Sequence, residues 1–204
     1  MRSNIYSLVM SGVLLAMTSQ ANTIVYNFQE DGANINLGSS TNFTVSGLSL
    51  YVYASSGQSL YSKFTSGNAS ETGLGIASDS DHEINSGNFV QLYSSMSVNL
   101  TQLSLSSVQS GESALIYFST SLGSLGTQIG TVGSDGNFDI SAYQNGYIGV
   151  KAGSGNVLIA SVTAQTPVTN KIVPPPHAPD AGSTMGLLGG AVTALGLIRR
   201  KLAD

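Results

Sequence analysis

Three carboxylates crowd into one short stretch of this 204-residue chain, where Asp79, Asp81 and Glu83 fall within five residues. Their alternating positions let all three side chains face one way if the segment is extended. Gly73 and Gly75 precede them and leave backbone carbonyls open nearby. Clustered oxygen ligands suit calcium better than zinc, although this stretch lacks the spacing of an EF-hand. It therefore predicts a calcium site, and the alternative is an acidic, solvated loop.

Catalytic chemistry finds little support in the sequence. The chain has no cysteine, and therefore no thiolate nucleophile or thiolate metal ligand. Its two histidines are His82, beside the acidic stretch, and His177, in a proline-rich segment; no G-x-S-x-G elbow accompanies the many serines. Carboxylates that could serve a glycosidase are present, but their order does not point to a cleft. We therefore expect a protein without enzymatic activity, with a glycan hydrolase as the least favoured alternative.

Tyrosines offer a second kind of site, because sugars stack on aromatic faces. Tyr51 and Tyr53 share one face of a predicted strand, and Leu50 and Val52 occupy the other. The pair is a candidate platform for a carbohydrate, and the alternative is the less buried face of a sheet. Together with the acidic stretch it suggests a calcium-dependent carbohydrate-binding module.

Short strands separated by turns must position these residues. Runs of alternating or continuous apolar residues recur at regular intervals, and no window between them shows a sustained helical period. This pattern predicts an all-β fold, a jelly-roll-like β-sandwich. The predicted strands are 23–28, 42–54 with a break at 46–47, 58–64, 88–93, 103–108, 114–119, 137–143, 147–152 and 157–164.

Two local signals refine this prediction. Asn145–Gly146 is a two-residue turn of the kind that joins hairpin strands. Val98 and Leu100 have one parity along the chain, and Leu103 and Leu105 have the other. A bulge or sharp turn near residues 101–102 would return all four side chains to the same face of the sheet.

Charge limits the partners. Only 9% of the residues are charged, and residues 22–176 carry three lysines against nine acids, a net charge of −6. Neutralising phosphates requires clustered Lys and Arg. The sequence therefore argues against nucleic acid as a partner.

The N-terminus has the pattern of a secretory signal peptide over residues 1–21. Arg2 supplies the positive start, residues 5–17 the apolar stretch, and Ser19 and Ala21 the small residues that signal peptidase reads. We expect cleavage before Asn22, and hence export.

The C-terminal region has a linker and a tail. Residues 166–177 form a proline-rich linker ahead of the tail, residues 178–204. The tail contains an apolar run, Met185–Ile198, whose fourteen residues span about 21 Å as a helix, less than the roughly 30 Å hydrocarbon core. The basic cluster behind it consists of Arg199, Arg200 and Lys201. This tail predicts a short transmembrane sorting helix with its basic end in the cytoplasm.

The order of motif, apolar helix and basic cluster in this tail resembles the PEP-CTERM class of sorting signals, and most closely its VPDSG-CTERM variant. The variant's motif is matched here by Pro179, Asp180, Ala181, Gly182, Ser183 and Thr184, with departures at Ala178, where Val is usual, and at Ala181, where Ser or Gly is usual. The resemblance implies that an exosortase-like membrane protease of a Gram-negative-type envelope cleaves near this motif. It also implies a location at the cell surface or in a matrix that contains exopolysaccharide.

These observations predict four parts: a signal peptide (1–21), a β-sandwich domain (22–165), a linker (166–177) and a sorting tail (178–204). The function expected first is that of a non-enzymatic exported surface or extracellular-matrix protein. The carbohydrate-binding module is the second expectation.

Overall fold

A computed structural model describes residues 21–29, 34–94 and 98–167, which belong to one compact unit, Gln20–Val168. The predicted sorting tail, its basic cluster, most of the linker and all but the last residue of the predicted signal peptide lie outside the described residues. Within the described part of the chain, no helix has the length and apolar character needed to cross a membrane.

The described residues contain thirteen strands and one short 3-10 helix, which confirms the all-β prediction. In chain order they are β1 (Thr23–Asn27), β2 (Ile35–Gly38), β3 (Ser40–Val45), β4 (Leu48–Ala54), β5 (Leu60–Lys63), the 3-10 helix η1 (Ala69–Glu71), β6 (Gly73–Ile76), β7 (Val90–Ser94), β8 (Asn99–Ser106), β9 (Ser113–Ser119), β10 (Thr127–Val132), β11 (Gly136–Asp139), β12 (Tyr147–Ser154) and β13 (Leu158–Gln165).

The strands form two antiparallel sheets that make a sandwich. Sheet 1 has the order β11-β8-β13-β6-β5-β2, and β1 pairs with β13. Sheet 2 has the order β10-β9-β12-β7-β4-β3. Leu50, Val52, Leu92, Ile148 and Val150 of sheet 2 are all fully buried and belong to the single core cluster, which also includes residues of sheet 1. Because the chain has no disulfide, burial of this apolar layer is the main source of stability.

The predicted bulge in β8 is confirmed. Leu100 pairs with Ala164 and Gln102 pairs with Thr163, so Thr101 is an extra residue with no opposite number on β13. The insertion shifts the parity of the strand. As a result, the four apolar side chains on either side of the bulge all reach the core: Val98, Leu100, Leu103 and Leu105.

The hairpin prediction at Asn145–Gly146 is wrong. The strand before it, β11, pairs with β8 in sheet 1, and the strand after it, β12, pairs with β7 and β9 in sheet 2. The turn therefore connects the two sheets. Asn145 has φ 61°, so the positive-φ conformation expected of such a turn is present without the hairpin.

The Gly-rich stretch before the acidic residues is a strand and not a loop. Residues 73–76 form β6, which lies between β5 and β13 and is buried at all four positions. A strand that is covered on both faces shows no alternation of apolar and polar residues. This explains why periodicity in the sequence did not identify it.

The two ends of the sandwich lie side by side. β1 and β13 pair from Thr23↔Gln165 to Asn27↔Ser161. Beyond this ladder, the Thr166 N–H donates to the Asn22 carbonyl at 3.1 Å. Asn22, the expected N-terminus after signal-peptide cleavage, is therefore adjacent to the start of the predicted linker.

Candidate functional site

The acidic stretch forms a tight loop between β6 and an isolated bridge that joins Ile84 to Val157. His82 has φ 62°, and its ring stacks on Tyr61 of β5 with a centroid separation of 4.0 Å. Its Nδ1 lies 3.2 Å from the Ala77 carbonyl. The histidine is thus part of the packing of the loop against sheet 1.

Asp79 and Asp81 each bind amide groups of the protein. Asp79 accepts hydrogen bonds from the side chains of Asn85 and Asn88, the latter at 2.7 Å. Asp81 accepts from the backbone N–H of Glu83 at 3.1 Å and from the side chain of Asn156. These contacts tie the loop to the start of β13 and to the segment that enters β7.

Glu83 forms a buried ion pair that no sequence motif indicated. Glu83 is 4% exposed, and one of its carboxylate oxygens accepts a hydrogen bond from Lys63 Nζ. Ser107 Oγ lies 2.9 Å from both carboxylate oxygens, and Lys63 Nζ also lies 3.3 Å from Glu71 Oε2. We call these four residues, Lys63, Glu71, Glu83 and Ser107, the ion-pair cluster.

Burial and charge act in opposite directions in the ion-pair cluster. Burial raises the pKa of Glu83, and the hydrogen bonds from Lys63 and Ser107 offset only part of that increase. For Lys63, burial lowers the pKa, but the hydrogen bonds and charges of Glu83 and Glu71 outweigh burial and raise it overall. The positive charge of Lys63 therefore stabilises the ionised Glu83 carboxylate inside the fold.

The three acidic side chains of the predicted calcium site do not converge. Asp79 and Asp81 bind separate sets of amides, and Glu83 faces Lys63. Among residues 21–29, 34–94 and 98–167, no group of three or more His, Cys, Asp or Glu side chains is arranged to hold a metal ion. Calcium binding by Asp79, Asp81 and Glu83 therefore stays a prediction, and it requires these side chains to leave their present partners.

Thermal unfolding of residues 22–167 in calcium and in chelator tests this prediction. A bound ion stabilises the folded state, by roughly 2.7 kcal/mol at a hundredfold excess over its Kd. The calcium hypothesis requires a rise in Tm that disappears when Asp79→Asn and Asp81→Asn are combined. An equal Tm in calcium and chelator would mean that protein partners alone satisfy the loop.

A group of tyrosines forms a second candidate site, on the outer face of sheet 2. Tyr51 of β4 pairs with Tyr93 of β7, and Ile148 pairs with Leu92, which places Tyr147 of β12 beside Tyr93. Three adjacent strands therefore each contribute a phenol ring at the same level. We call Tyr51, Tyr93 and Tyr147 the tyrosine strip.

The rings of the strip are close together and only moderately tilted. The Tyr51 and Tyr93 centroids are 6.3 Å apart at an interplanar angle of 40°, and the Tyr93 and Tyr147 centroids are 5.1 Å apart at 31°. Tyr53 meets Tyr147 edge-on at 6.2 Å. Burial raises the pKa of Tyr53, and the neighbouring tyrosines raise it further when they ionise.

A loop covers the neighbouring part of the same face. Gln91 is 1% exposed, and its side chain accepts from the Gly123 N–H at 2.7 Å and donates to the Ser124 carbonyl at 2.9 Å. Leu125 lies against Gly149, where an added Cβ would come within 2.9 Å of the leucine. The loop between β9 and β10 thus packs on the row next to the strip, and Tyr51 is 38% exposed.

The sequence indicated only part of each site. Tyr51 and Tyr53 were identified because they alternate within one strand, whereas Tyr93 and Tyr147 join them through pairing between distant strands. Lys63 could have been suspected as a partner for Glu83, since it is one of only three lysines in residues 22–176. Ser107 has φ 57°, which no feature of its neighbours predicts.

Comparison with known proteins finds a match in the tail. The family model described as the VPDSG-CTERM motif matches residues 179–202, which lie outside the described residues. No curated protein and no solved structure matches the chain. The matched range contains the Pro-Asp motif, the apolar run and the basic cluster identified in the sequence. The chain therefore carries a VPDSG-CTERM motif, a variant of the PEP-CTERM-like sorting signals.

Proposed function

We propose that this chain is a non-enzymatic protein of the cell surface or extracellular matrix. The observation that carries the proposal is the order of its parts, a β-sandwich followed by a VPDSG-CTERM motif at residues 179–202. The motif implies an exported, membrane-anchored precursor that an exosortase-like enzyme processes. Under this proposal signal peptidase removes residues 1–21, and the jelly-roll-like sandwich remains as the mature body, in contact with exopolysaccharide.

The structural use of the loop carboxylates supports the non-enzymatic part of the proposal. A general acid or base must reach a proton on the substrate within hydrogen-bond distance. Asp79 and Asp81 accept hydrogen bonds from side-chain amides, and Glu83 accepts hydrogen bonds from Lys63 and Ser107. A shallow groove near η1 is lined by seven residues without a carboxylate or an imidazole: Gln29, Phe64, Thr65, Gly67, Asn68, Ala69 and Thr72.

A carbohydrate-binding module is the second candidate, and the tyrosine strip is the observation that favours it. The strip joins Tyr93 and Tyr147 to Tyr51, one of the two tyrosines expected from sequence, and places three rings on adjacent strands. The two candidates are compatible, because a matrix protein can be retained through a polysaccharide.

Processing at both ends is the expected result that tests the first candidate. The protein recovered from the surface of cells that produce it should begin at Asn22 and lack residues 185–204, because signal peptidase and an exosortase-like enzyme have both acted. Intact-mass measurement with peptide mapping checks this. Replacing Asp180 by Ala should leave the N-terminal cleavage unchanged and cause the uncleaved tail to accumulate. Tail peptides from 187–199 in the mature extracellular species would contradict the proposed sorting.

A further inference from the structure

We propose that the tyrosine strip is a stacking site for an uncharged polysaccharide, and that it binds without calcium. The inference deepens the proposed function and rests on it for the location of the ligand. Binding by the purified chain and processing in cells are separate measurements, so the two can fail independently.

The arrangement of the rings suits a chain of linked sugars. A pyranose presents a flat C–H face that packs on an aromatic face. Tyr51, Tyr93 and Tyr147 lie in one line across β4, β7 and β12, with successive centroids 6.3 and 5.1 Å apart. The three strands lie side by side in sheet 2, so the strip runs across the sheet in one direction. A row of rings extended in one direction fits a polymer better than a single sugar.

The surroundings of the strip favour an uncharged polymer. At its two ends, Tyr51 pairs with Asn42 of β3 and Tyr147 pairs with Ser119 of β9, so both neighbours are uncharged. In the next row, Tyr53 pairs with Gln91. An anionic polysaccharide would need clustered Lys or Arg, and the described part of this face offers Lys151, two residues beyond Gly149 on β12.

The fold leaves Tyr51 exposed and covers the row beside the strip. Gln91 and Gly149 are both buried beneath the loop that contains Gly123 and Leu125. The loop does not cover Tyr51, which is 38% exposed. Tyr51 is exposed and Tyr93 and Tyr147 are half-buried, so the strip reaches solvent beside a loop that Gln91 holds in place. Binding there has a low entropic cost, because neither the sheet nor the loop must be ordered.

Calcium has no role at this surface. The predicted calcium ligands lie in the loop before β7, where Asp79 binds Asn88, and Asn88 is five residues from Tyr93, roughly 17 Å along an extended chain. An ion held there would not touch a sugar on the strip. The sequence suggests one carbohydrate site that depends on calcium. The distance between the predicted calcium ligands and the strip instead favours sugar binding that does not depend on calcium.

Titration of the purified full-length chain in a sugar-free zwitterionic detergent tests the inference. The probes are the neutral hexasaccharides cellohexaose, laminarihexaose and maltohexaose, with alginate oligosaccharides as the anionic comparison. The chain has no tryptophan and nine tyrosines, so tyrosine emission reports binding and the variants below assign the signal to the strip. We expect saturable binding of at least one neutral hexasaccharide, unchanged by chelator, and no comparable binding of alginate.

Variants distinguish stacking from general surface effects. Tyr93→Ala and Tyr51→Ala should each weaken binding about tenfold, and Tyr51→Phe, which keeps the ring, should stay within about twofold of the parent. Tyr61→Phe on sheet 1 is the matched control and should bind as the parent does. Because Tyr51 is the more exposed ring, Tyr51→Ala carries the test if Tyr93→Ala fails to fold by circular dichroism.

Three outcomes would overturn the inference. The first is the absence of saturable binding for all three neutral hexasaccharides. The second is binding that survives both alanine variants or that is lost in chelator. The third is a parent chain that forms a dimer which Tyr51→Ala dissociates while sugar binding is absent, since the strip would then be an interface between two copies.

Discussion

Replacing Lys63 by Met is expected to destabilise the sandwich by about 3–5 kcal/mol at neutral pH, the usual cost of removing one partner of a buried pair. The substitution leaves Glu83, which is 4% exposed, with Ser107 as its remaining partner in the ion-pair cluster. Urea unfolding of residues 22–167, followed by circular dichroism, measures the free energy of unfolding. Lys151→Met, on the outer face of sheet 2, is the matched control and should change the free energy by no more than about 0.5 kcal/mol.

Two rescues follow from the same cause. Adding Glu83→Gln to Lys63→Met removes the uncompensated charge, so the double variant should be more stable than Lys63→Met alone. Acidification should act similarly. The pKa of Glu83 in the folded state lies above its ordinary value of 4.5, so the stability gained by protonation is fully present below that value and is lost as pH rises through the folded pKa. The deficit of Lys63→Met should therefore shrink between neutral pH and the acid range.

The native pair has its own pH limit at the alkaline end. The pKa of Lys63 is raised above 10.5, so the stability that the charged amine contributes is complete below that value and is lost as pH rises through the folded pKa.

A Lys63→Met variant that unfolds at the same urea concentration as the parent at neutral pH would show that the pair contributes nothing to stability.

Replacing Gly75 by Ala is expected to cost about 3 kcal/mol or more, the upper end of overpacking in a core. Gly75 lies in β6, and an added Cβ would come within 2.1 Å of the His82 carbonyl oxygen and 3.0 Å of the Glu83 Cα. Both are backbone atoms and cannot turn away as a side-chain end can. The loop that carries Glu83 must therefore move, which would also weaken the contact of Glu83 with Lys63.

Gly133→Ala is the control for this prediction, because no heavy atom lies within 4 Å of its added Cβ and its φ is not positive. It should leave the free energy of unfolding within about 0.5 kcal/mol of the parent. The effects of Gly75→Ala and Lys63→Met should be less than additive, since both disturb Glu83. A Gly75→Ala protein as stable as Gly133→Ala would contradict the close packing of the loop on β6.

The sequence by itself determined those features that depend on neighbours along the chain. The VPDSG-CTERM motif is a linear signal, so its residues are recognised without any fold. The all-β class followed from alternating runs, since a side-chain period of two is a local property of an extended chain. The bulge at Thr101 was visible for the same reason, because a change of parity between Leu100 and Leu103 must be absorbed within the strand.

Pairing between distant strands decided the rest. The central strand β6 shows no alternation, because it is buried on both faces. The chemistry of the Asn145–Gly146 turn does not determine which sheet the next strand joins. Lys63 and Glu83 are twenty residues apart, and Tyr51 and Tyr147 are ninety-six residues apart. What each of these side chains contacts depends on strand register and sheet order. Only the tertiary structure could therefore show that Glu83 pairs with Lys63, that Asp79 and Asp81 bind amide groups of the protein, and that the tyrosines form one strip.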